Sequence, residues 1–136
     1  MRSLEIQWTR FGVFCCGLFL LLSSTLSFAG DAASGEKLFV KCKVCHEVEP
    51  DKSKIGPSLY GVIGRKAATL ESFAGYSDAL KSSELTWDEA TLKEYLKSPL
   101  TYVKGTKMAF IGMKNEEELN DVLAYLAQFS EDGAAE

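Results

Sequence analysis

The stretch Cys42-Lys43-Val44-Cys45-His46 decides the fold of this chain of 136 residues. Two thiols three positions apart, followed at once by an imidazole, form the pattern that attaches a c-type haem covalently. The two sulfurs can add to the two vinyl groups of one porphyrin, and the imidazole is then placed to bind the iron. His46 is the only histidine in the sequence. The motif therefore predicts one haem c with His46 as an iron ligand.

Other interpretations of the two cysteines are open from the motif alone. A Cys-x-x-Cys pair can act as a redox-active dithiol, or it can supply half of a zinc site. Zinc normally needs four ligands, and residues 30–136 hold no cysteine beyond Cys42 and Cys45 and no histidine beyond His46. An exported chain can also join two thiols in a disulfide. The adjacent histidine favours thioether bonds to haem.

The first 29 residues have the composition of a secretory signal peptide. Arg2 and Arg10 make the beginning of this segment basic. The stretch that follows, from Phe11 to Leu22, is apolar apart from its glycines. Ser27-Phe28-Ala29 then places small residues where a signal peptidase requires them. We predict cleavage after Ala29, which leaves residues 30–136 in the periplasm. The apolar run is short for a bilayer span of about 20 residues; retention as an inner-membrane anchor facing the periplasm is the alternative.

The remaining residues, 30–136, have the length of one small domain. They carry 13 lysines and arginines against 18 acidic residues, a net charge of −5. Residues 112–136 hold seven of the acids and one lysine, so the rest of the domain is close to neutral. This acidic balance gives no indication of nucleic-acid binding. The last residues, 130–136, are polar and are expected to fray.

Helix signals begin directly after the predicted cleavage site. Asp31 is a predicted N-cap for a first helix that runs towards the haem motif. Gly35 lies inside that helix, where glycine costs about 1 kcal/mol relative to alanine, so we expect another helix to approach closely there. Residues 47–66 are rich in glycine, proline and serine and are predicted to form a loop.

Two further helices are predicted in the second half of the chain. Thr86 and Glu89 have the spacing of a capping box, with Thr86 as the N-cap, and the helix should end before Pro99. Asn115 is predicted to cap the last helix, in which apolar residues recur at helical spacing as far as Phe129. No alternating pattern predicts a strand, so the fold class is all-α.

The order of these motifs makes the chain resemble the class I cytochromes c, small electron carriers with one haem. The resemblance covers about residues 31–130. It implies an all-α fold of three to five helices wrapped around one covalently bound haem. The motifs that carry it, in chain order, are Gly35–Phe39, Cys42–His46, Ile55–Pro57, Gly64–Lys66, Tyr76–Ala79, Leu85–Trp87, Leu92–Leu96, Gly105–Met108 and Tyr125-Leu126.

The second axial ligand of the iron is the next question. With His46 the only imidazole, the residues leave a methionine, a lysine or no side chain for this position. Two methionines, Met108 and Met113, lie within residues 30–136. The resemblance assigns the ligand to Met108, and histidine–methionine ligation raises the haem potential. Lys104 replaces the proline that usually precedes the methionine loop, which is expected to loosen that loop.

The resemblance also implies roles for residues around the haem. Pro57 matches the proline whose carbonyl accepts the imidazole proton, a bond that orients the ligand and tunes the metal. Buried propionates need donors nearby. The residues that match the propionate-binding set are Arg65, Tyr76 and Trp87, and those that match the polar network beside the axial methionine are Tyr95 and Thr106. The spacing from Phe73 to Tyr76 is one residue longer than in common members.

The resemblance implies an exported monomer that transfers one electron at a time and is not an enzyme. The expected donor is a cytochrome bc complex, and the expected acceptor is an oxidase, a reductase or a photosynthetic reaction centre. Docking would use lysines near the haem, which include Lys43, Lys66, Lys104 and Lys107. The alternative is a peroxidase-like enzyme or gas-binding cytochrome with an open axial position, although no second histidine is present to build a distal pocket. A cytochrome c′-type bundle conflicts with a haem motif so near the start of the domain.

Overall fold

The structure is a computed structural model that describes residues 30–130. The predicted signal segment, its cleavage site and the end of the polar tail lie outside the described residues. Within residues 30–130, five helices follow one another: α1 (Ala32–Lys43), α2 (Asp78–Lys81), α3 (Glu89–Lys97), α4 (Pro99–Tyr102) and α5 (Glu116–Ala127). The one β-type pairing in this part of the chain is an isolated antiparallel bridge between Lys66 and Thr86. The all-α prediction is confirmed.

Helix α1 begins at the predicted cap and carries the cysteine motif at its end. The Asp31 carboxylate accepts a hydrogen bond of 2.9 Å from the backbone N–H of Ala33. The backbone N–H of Asp31 in turn donates to the carboxylate of Asp121 at 2.7 Å, which ties the start of α1 to α5. Lys41 and Lys43 lie in the last turn, where positive charge is favoured by the helix dipole.

Gly35 is the point at which α1 packs against α5. A Cβ at Gly35 would overlap with the backbone carbonyl of Asp121 and would lie 2.8 Å from the Cβ of Tyr125. The predicted close approach of a second helix is therefore confirmed. The ring of Tyr125 also packs against Phe39 of α1, with ring centroids 5.1 Å apart.

The N-cap of α3 differs from the prediction. The cap is Asp88, whose side chain accepts from the backbone N–H of Thr91 at 2.8 Å. Thr86 is instead held in the bridge with Lys66, and the neighbouring N–H of Trp87 donates to the carbonyl of Arg65 at 2.9 Å. An extended residue paired with a distant segment cannot also begin the helix, so the start of α3 moves to the next residue that can cap it.

The predicted end of α3 and start of α5 agree with the structure, whereas α5 ends at Ala127, two residues before Phe129, the last residue of the predicted apolar pattern. Helix α3 ends at Lys97, and Pro99 starts the short helix α4, where its missing N–H needs no partner. Asn115 caps α5 and accepts from the backbone N–H groups of Glu117 and Glu118. No helix within residues 30–130 has the length and apolar character needed to cross a bilayer.

The core forms between α1, α3 and α5. Leu119 and Leu123 of α5 are fully buried, and Val122 is 1% exposed. Burial of each such side chain contributes about 1.5–3 kcal/mol. Other buried core residues are Phe39, Trp87, Leu92, Tyr95, Val103, Met113 and Leu126. One side of this core is open to a cavity, which the haem motif borders.

Candidate haem-binding site

A cavity of about 290 Å³ lies between the end of α1, helices α3 and α5 and the loops around residues 55–65 and 106–110. Apolar side chains such as Leu80, Leu92, Phe110, Val122 and Leu126 form much of its wall. All of the predicted haem-site residues line this one cavity: Cys42, Cys45, His46, Pro57, Arg65, Tyr76, Trp87, Tyr95, Thr106 and Met108. The fold thus brings together residues that are up to 66 positions apart in the sequence.

The two cysteines lie where the last turn of α1 unwinds. The N–H groups of Cys45 and His46 both donate to the carbonyl of Cys42, at 3.0 and 2.9 Å. This turn presents both sulfur-bearing side chains to the same cavity. Both thiols are free and partly buried. Burial raises the pKa of the Cys42 thiol, and the nearby Lys41 opposes that effect.

His46 is buried, with 8% of its surface exposed, and its ring is held by one hydrogen bond. Nδ1 lies 2.7 Å from the carbonyl oxygen of Pro57, to which it donates as the protonated nitrogen. Because Nδ1 carries the proton, Nε2 keeps its lone pair, as iron ligation requires. Burial lowers the pKa of the imidazole against the opposing effect of the Pro57 bond, which favours the neutral ring.

Gly56 belongs to the site although the sequence predicts no role for it beyond its place in the Ile55–Pro57 motif. A Cβ at Gly56 would overlap with the His46 ring, at 2.8 Å from Nδ1 and 2.9 Å from Nε2. Gly56 is buried, and its N–H donates to the carbonyl of Cys45 at 2.8 Å. The absence of a side chain at this position therefore lets the loop that contains Pro57 close over the imidazole. A glycine directly before the proline was the only sequence signal.

Polar donors meet at a second part of the cavity wall. The Arg65 guanidinium donates to the carbonyls of Tyr60 and Ser58, both at 2.9 Å, and keeps further N–H groups free. Burial lowers the pKa of Arg65 and raises that of the neighbouring Tyr76 phenol. Trp87 lines the same cavity and is 7% exposed, and its indole N–H is a further donor. The Arg65 guanidinium can neutralise a buried carboxylate, and Tyr76 and Trp87 can donate hydrogen bonds to it.

Tyr76 lines the cavity despite the longer spacing from Phe73 to Tyr76. Its ring packs edge-on against Phe73, with centroids 4.9 Å apart, and Phe73 also lines the cavity. Gly75 makes room for this contact, because a Cβ there would lie 2.6 Å from the Phe73 ring. The longer spacing therefore does not keep Tyr76 out of the cavity wall.

The two methionines have different surroundings. The side chain of Met108 is partly buried and lines the cavity, whereas Met113 is 5% exposed and belongs to the core. The N–H of Met113 donates to the carbonyl of Leu96 at 2.9 Å, which fixes it beside α3. Met108 is therefore the methionine that is available to a group bound in the cavity.

A polar network supports the segment that carries Met108. The hydroxyls of Tyr95 and Thr106 lie 3.1 Å apart, and Thr106 Oγ1 accepts from the backbone N–H of Met108 at 3.3 Å. Burial raises the pKa of Tyr95, which keeps the phenol protonated. The loop forms a turn although Lys104, which is exposed, replaces the usual proline. In this turn Gly105 has a φ of 94°, and the N–H of Thr106 donates to the carbonyl of Val103 at 3.0 Å.

These residues fit a covalently bound haem c. The cavity offers two free thiols, an imidazole oriented through Nδ1, a thioether, and donors for propionates on an otherwise apolar wall. The zinc interpretation lacks support, since residues 30–130 contain no group of three or more His, Cys, Asp or Glu side chains that could hold a metal ion.

Comparison with known proteins agrees with this assignment. The family model described as cytochrome c matches residues 32–130. Cytochrome c2 of Blastochloris viridis is 48% identical over 120 residues, which are 87% of this chain and 94% of that protein. Cytochrome c2 of Rhodoblastus acidophilus is 53% identical over 107 residues, 78% of this chain and 99% of that protein.

The solved structures give the same result. Cytochrome cH from Methylobacterium extorquens superposes with a TM-score of 0.67 at 50% identity, over 71% of this chain and 97% of that protein. The comparisons give no support to the haem-enzyme alternative. The chain therefore belongs to the cytochrome c family, and it is a one-electron carrier with a single covalently bound haem c, not an enzyme.

Proposed function

We propose that this protein is exported to the periplasm and carries single electrons there from a cytochrome bc complex to an oxidase, a reductase or a photosynthetic reaction centre. The observation that carries the proposal is the convergence of Cys42, Cys45 and His46 on one cavity that Met108 also lines. The bound haem supplies the ferric/ferrous couple. Cys42 and Cys45 would hold its porphyrin, and His46 and Met108 would be the two ligands to its iron.

Each axial ligand has a support in the chain. The Pro57 carbonyl fixes the tautomer and rotation of the His46 ring. The Tyr95–Thr106 pair holds the backbone at Met108. Ligands that are fixed in this way would limit rearrangement around a bound iron when its charge changes, which suits a carrier that gains and loses an electron without other chemistry.

The remaining site residues control charge and water. Arg65, Tyr76 and Trp87 are proposed to bind the propionates, which would otherwise be costly to bury. The apolar wall would keep water away from a bound haem and so favour ligation by His46 and Met108. Pro57 and Thr106 act on the axial ligands rather than on the propionates.

The proposed docking surface surrounds the mouth of the cavity. Lys41 and Lys107 line the cavity and are exposed, and the Ile55 side chain beside them is 77% exposed. Lys43 and Lys104 are also exposed. Positive charge there would steer the carrier to an acidic partner surface, while the acidic α5 segment would be repelled from it. The partner protein would then contact the exposed apolar surface at Ile55, beside these lysines.

Covalent haem is the first point to test. Acid–acetone treatment of the purified holoprotein should leave the red colour on the protein, and Cys42→Ala or Cys45→Ala should sharply reduce the yield of holoprotein. Haem that extracts into the solvent from the wild-type protein would contradict the assignment of the two thioether bonds.

Export is tested separately. Sequencing of the N-terminus of the periplasmic protein should start at Gly30. Recovery of the protein only from washed membranes, with Met1 or Arg2 still present, would favour the anchored alternative and restrict the partners to the same membrane.

A further inference from the structure

The loop between His46 and Pro57 contains an ion pair that none of the roles above uses. The Lys54 ammonium group pairs with the carboxylate of Glu47, and it also donates a hydrogen bond of 3.0 Å to the carbonyl of Lys43. Lys43 is the last residue of α1, and Glu47 directly follows His46. A single side chain therefore connects the loop to Lys43, inside the haem motif, and to Glu47, which directly follows the motif.

The backbone of Lys54 is connected to the same place. Its N–H donates to the carbonyl of Gly56 at 2.9 Å, and the N–H of Gly56 donates to the carbonyl of Cys45 at 2.8 Å. Gly56 contacts the imidazole ring and precedes Pro57, whose carbonyl accepts from His46 Nδ1. The path from the Lys54 side chain to the iron ligand is thus continuous and short.

The shielding of the Glu47 carboxylate distinguishes this pair from ordinary surface ion pairs. The Glu47 side chain is 13% exposed and that of Lys54 is 37% exposed. The neighbouring pair of Lys52 and Glu49 lies on the same loop, but its side chains are 54% and 61% exposed, and it spans only three residues. Exposed pairs contribute little to stability. A pair whose carboxylate is shielded and whose lysine also binds a second segment can hold the two segments in place.

We propose that Lys54 is a positioning residue for the proximal iron ligand: with Glu47 it holds the loop so that the Pro57 carbonyl stays on His46 Nδ1. This inference rests on the proposed ligation by His46. A hydrogen bond from Nδ1 makes the imidazole a stronger donor and stabilises ferric iron. Loss of the clamp should therefore loosen this bond and raise the haem potential.

The test uses two charge-neutral double variants of the holoprotein. Lys54→Met with Glu47→Gln removes the clamp, and Lys52→Met with Glu49→Gln removes the matched exposed pair. Each removes one positive and one negative charge from the same loop, so long-range charge effects on the haem are similar. The measurements are the exchange rate of the His46 Nδ1 proton, followed by NMR, and the haem potential.

We expect the clamp variant to exchange this proton about tenfold faster or more and the exposed-pair variant to stay within about twofold of wild type. The potential should rise only in the clamp variant. Lys54→Arg, which can still reach both acceptors, should restore slow exchange. Equal exchange rates in the two double variants, or a potential that moves alike in both, would overturn the proposal.

The same data separate this inference from the proposed function. If His46 were not an iron ligand, the wild-type protein itself would lack the strongly shifted imidazole proton signals of a ligand to ferric iron. If the clamp variant does not accumulate as holoprotein, the single variant Glu47→Gln, which keeps the Lys54–Lys43 bond, is measured in its place. Wild-type exchange and potential in that single variant, with its matched control Glu49→Gln, would also contradict the clamp.

Discussion

The imidazole of His46 occupies the space that a side chain at residue 56 would need. Gly56 therefore makes the contact between the haem motif and the Pro57 loop, and no other residue type can keep that contact unchanged. The backbone at Gly56 does not lie in the left-handed region, so the constraint is the lack of space and not the backbone angle.

The first prediction follows from that contact. Gly56→Ala should displace either the ring or the loop and should destabilise the holoprotein by roughly 1–3 kcal/mol, the usual cost of overpacking. It should also alter the spectrum of the haem. Gly61→Ala is the control, because nothing lies within 4 Å of a Cβ there; its left-handed φ costs stability but should leave the spectrum as in wild type. Denaturant unfolding and visible spectra of both variants provide the comparison.

The crossing of α1 and α5 gives a second prediction. Gly35→Ala improves helix propensity by about 1 kcal/mol, but the new Cβ meets the rigid backbone of α5 at Asp121. The clash should win, with a net loss of about 1–3 kcal/mol in the free energy of unfolding. Glu36→Ala, an exposed neighbour on α1, should change it by less than about 0.5 kcal/mol. A Gly35→Ala protein more stable than wild type would refute this view of the crossing.

The polar network beside Met108 should behave as a unit. Tyr95→Phe and Thr106→Val each remove one member of the 3.1 Å hydrogen bond. In a double-mutant cycle the two changes should be coupled by about 0.5–1.5 kcal/mol. Thr106→Val also leaves the N–H of Met108 without its acceptor, so it should weaken the absorption band of the methionine–ferric iron bond more than Tyr95→Phe does. Additive effects would mean that the hydroxyls act independently.

Acid stability should depend on the cap of α3. Hydrogen bonds from Thr91 lower the pKa of Asp88. A carboxyl with a lowered folded-state pKa stabilises the protein above its unfolded pKa of about 3.9 and loses that contribution as the pH falls through the folded pKa. Asp88→Asn keeps a capping side chain that does not titrate. Urea unfolding should therefore show near-equal stability at pH 7 and a shallower loss below about pH 4 for Asp88→Asn, with Asp78→Asn as the control. An unchanged acid slope would contradict this.

Local signals predicted much of the fold. The caps at Asp31 and Asn115 and the close approach at Gly35 could be predicted because each depends on a few neighbouring residues or on the cost of glycine in a helix. The cap of α3 could not, because Thr86 is taken up by a bridge to Lys66, a pairing between distant segments. The short helices α2 and α4 have four residues each, too few for a periodic pattern.

The sequence predicts some parts of the haem site and not others. The covalent haem motif is contiguous, so the sequence alone indicates it. The difference between Met108 and Met113 depends on which of them faces the cavity, which is a property of the tertiary structure. The contact of Gly56 with His46 and the link from Lys54 to Lys43 join residues ten and eleven positions apart. The glycine before Pro57 is the only local signal for the first, and no local pattern marks the second.

The most direct test of the central claim, a carrier with both axial positions filled by His46 and Met108, is the visible spectrum of the ferric holoprotein in two variants. Met108→Ala should abolish the weak methionine–iron band and lower the potential, because axial ligands as a class shift haem potentials over about 0.8 V. Met113→Leu should keep both and cost less than about 1.5 kcal/mol of stability. Persistence of the band in Met108→Ala, or its loss in Met113→Leu, would contradict the assignment.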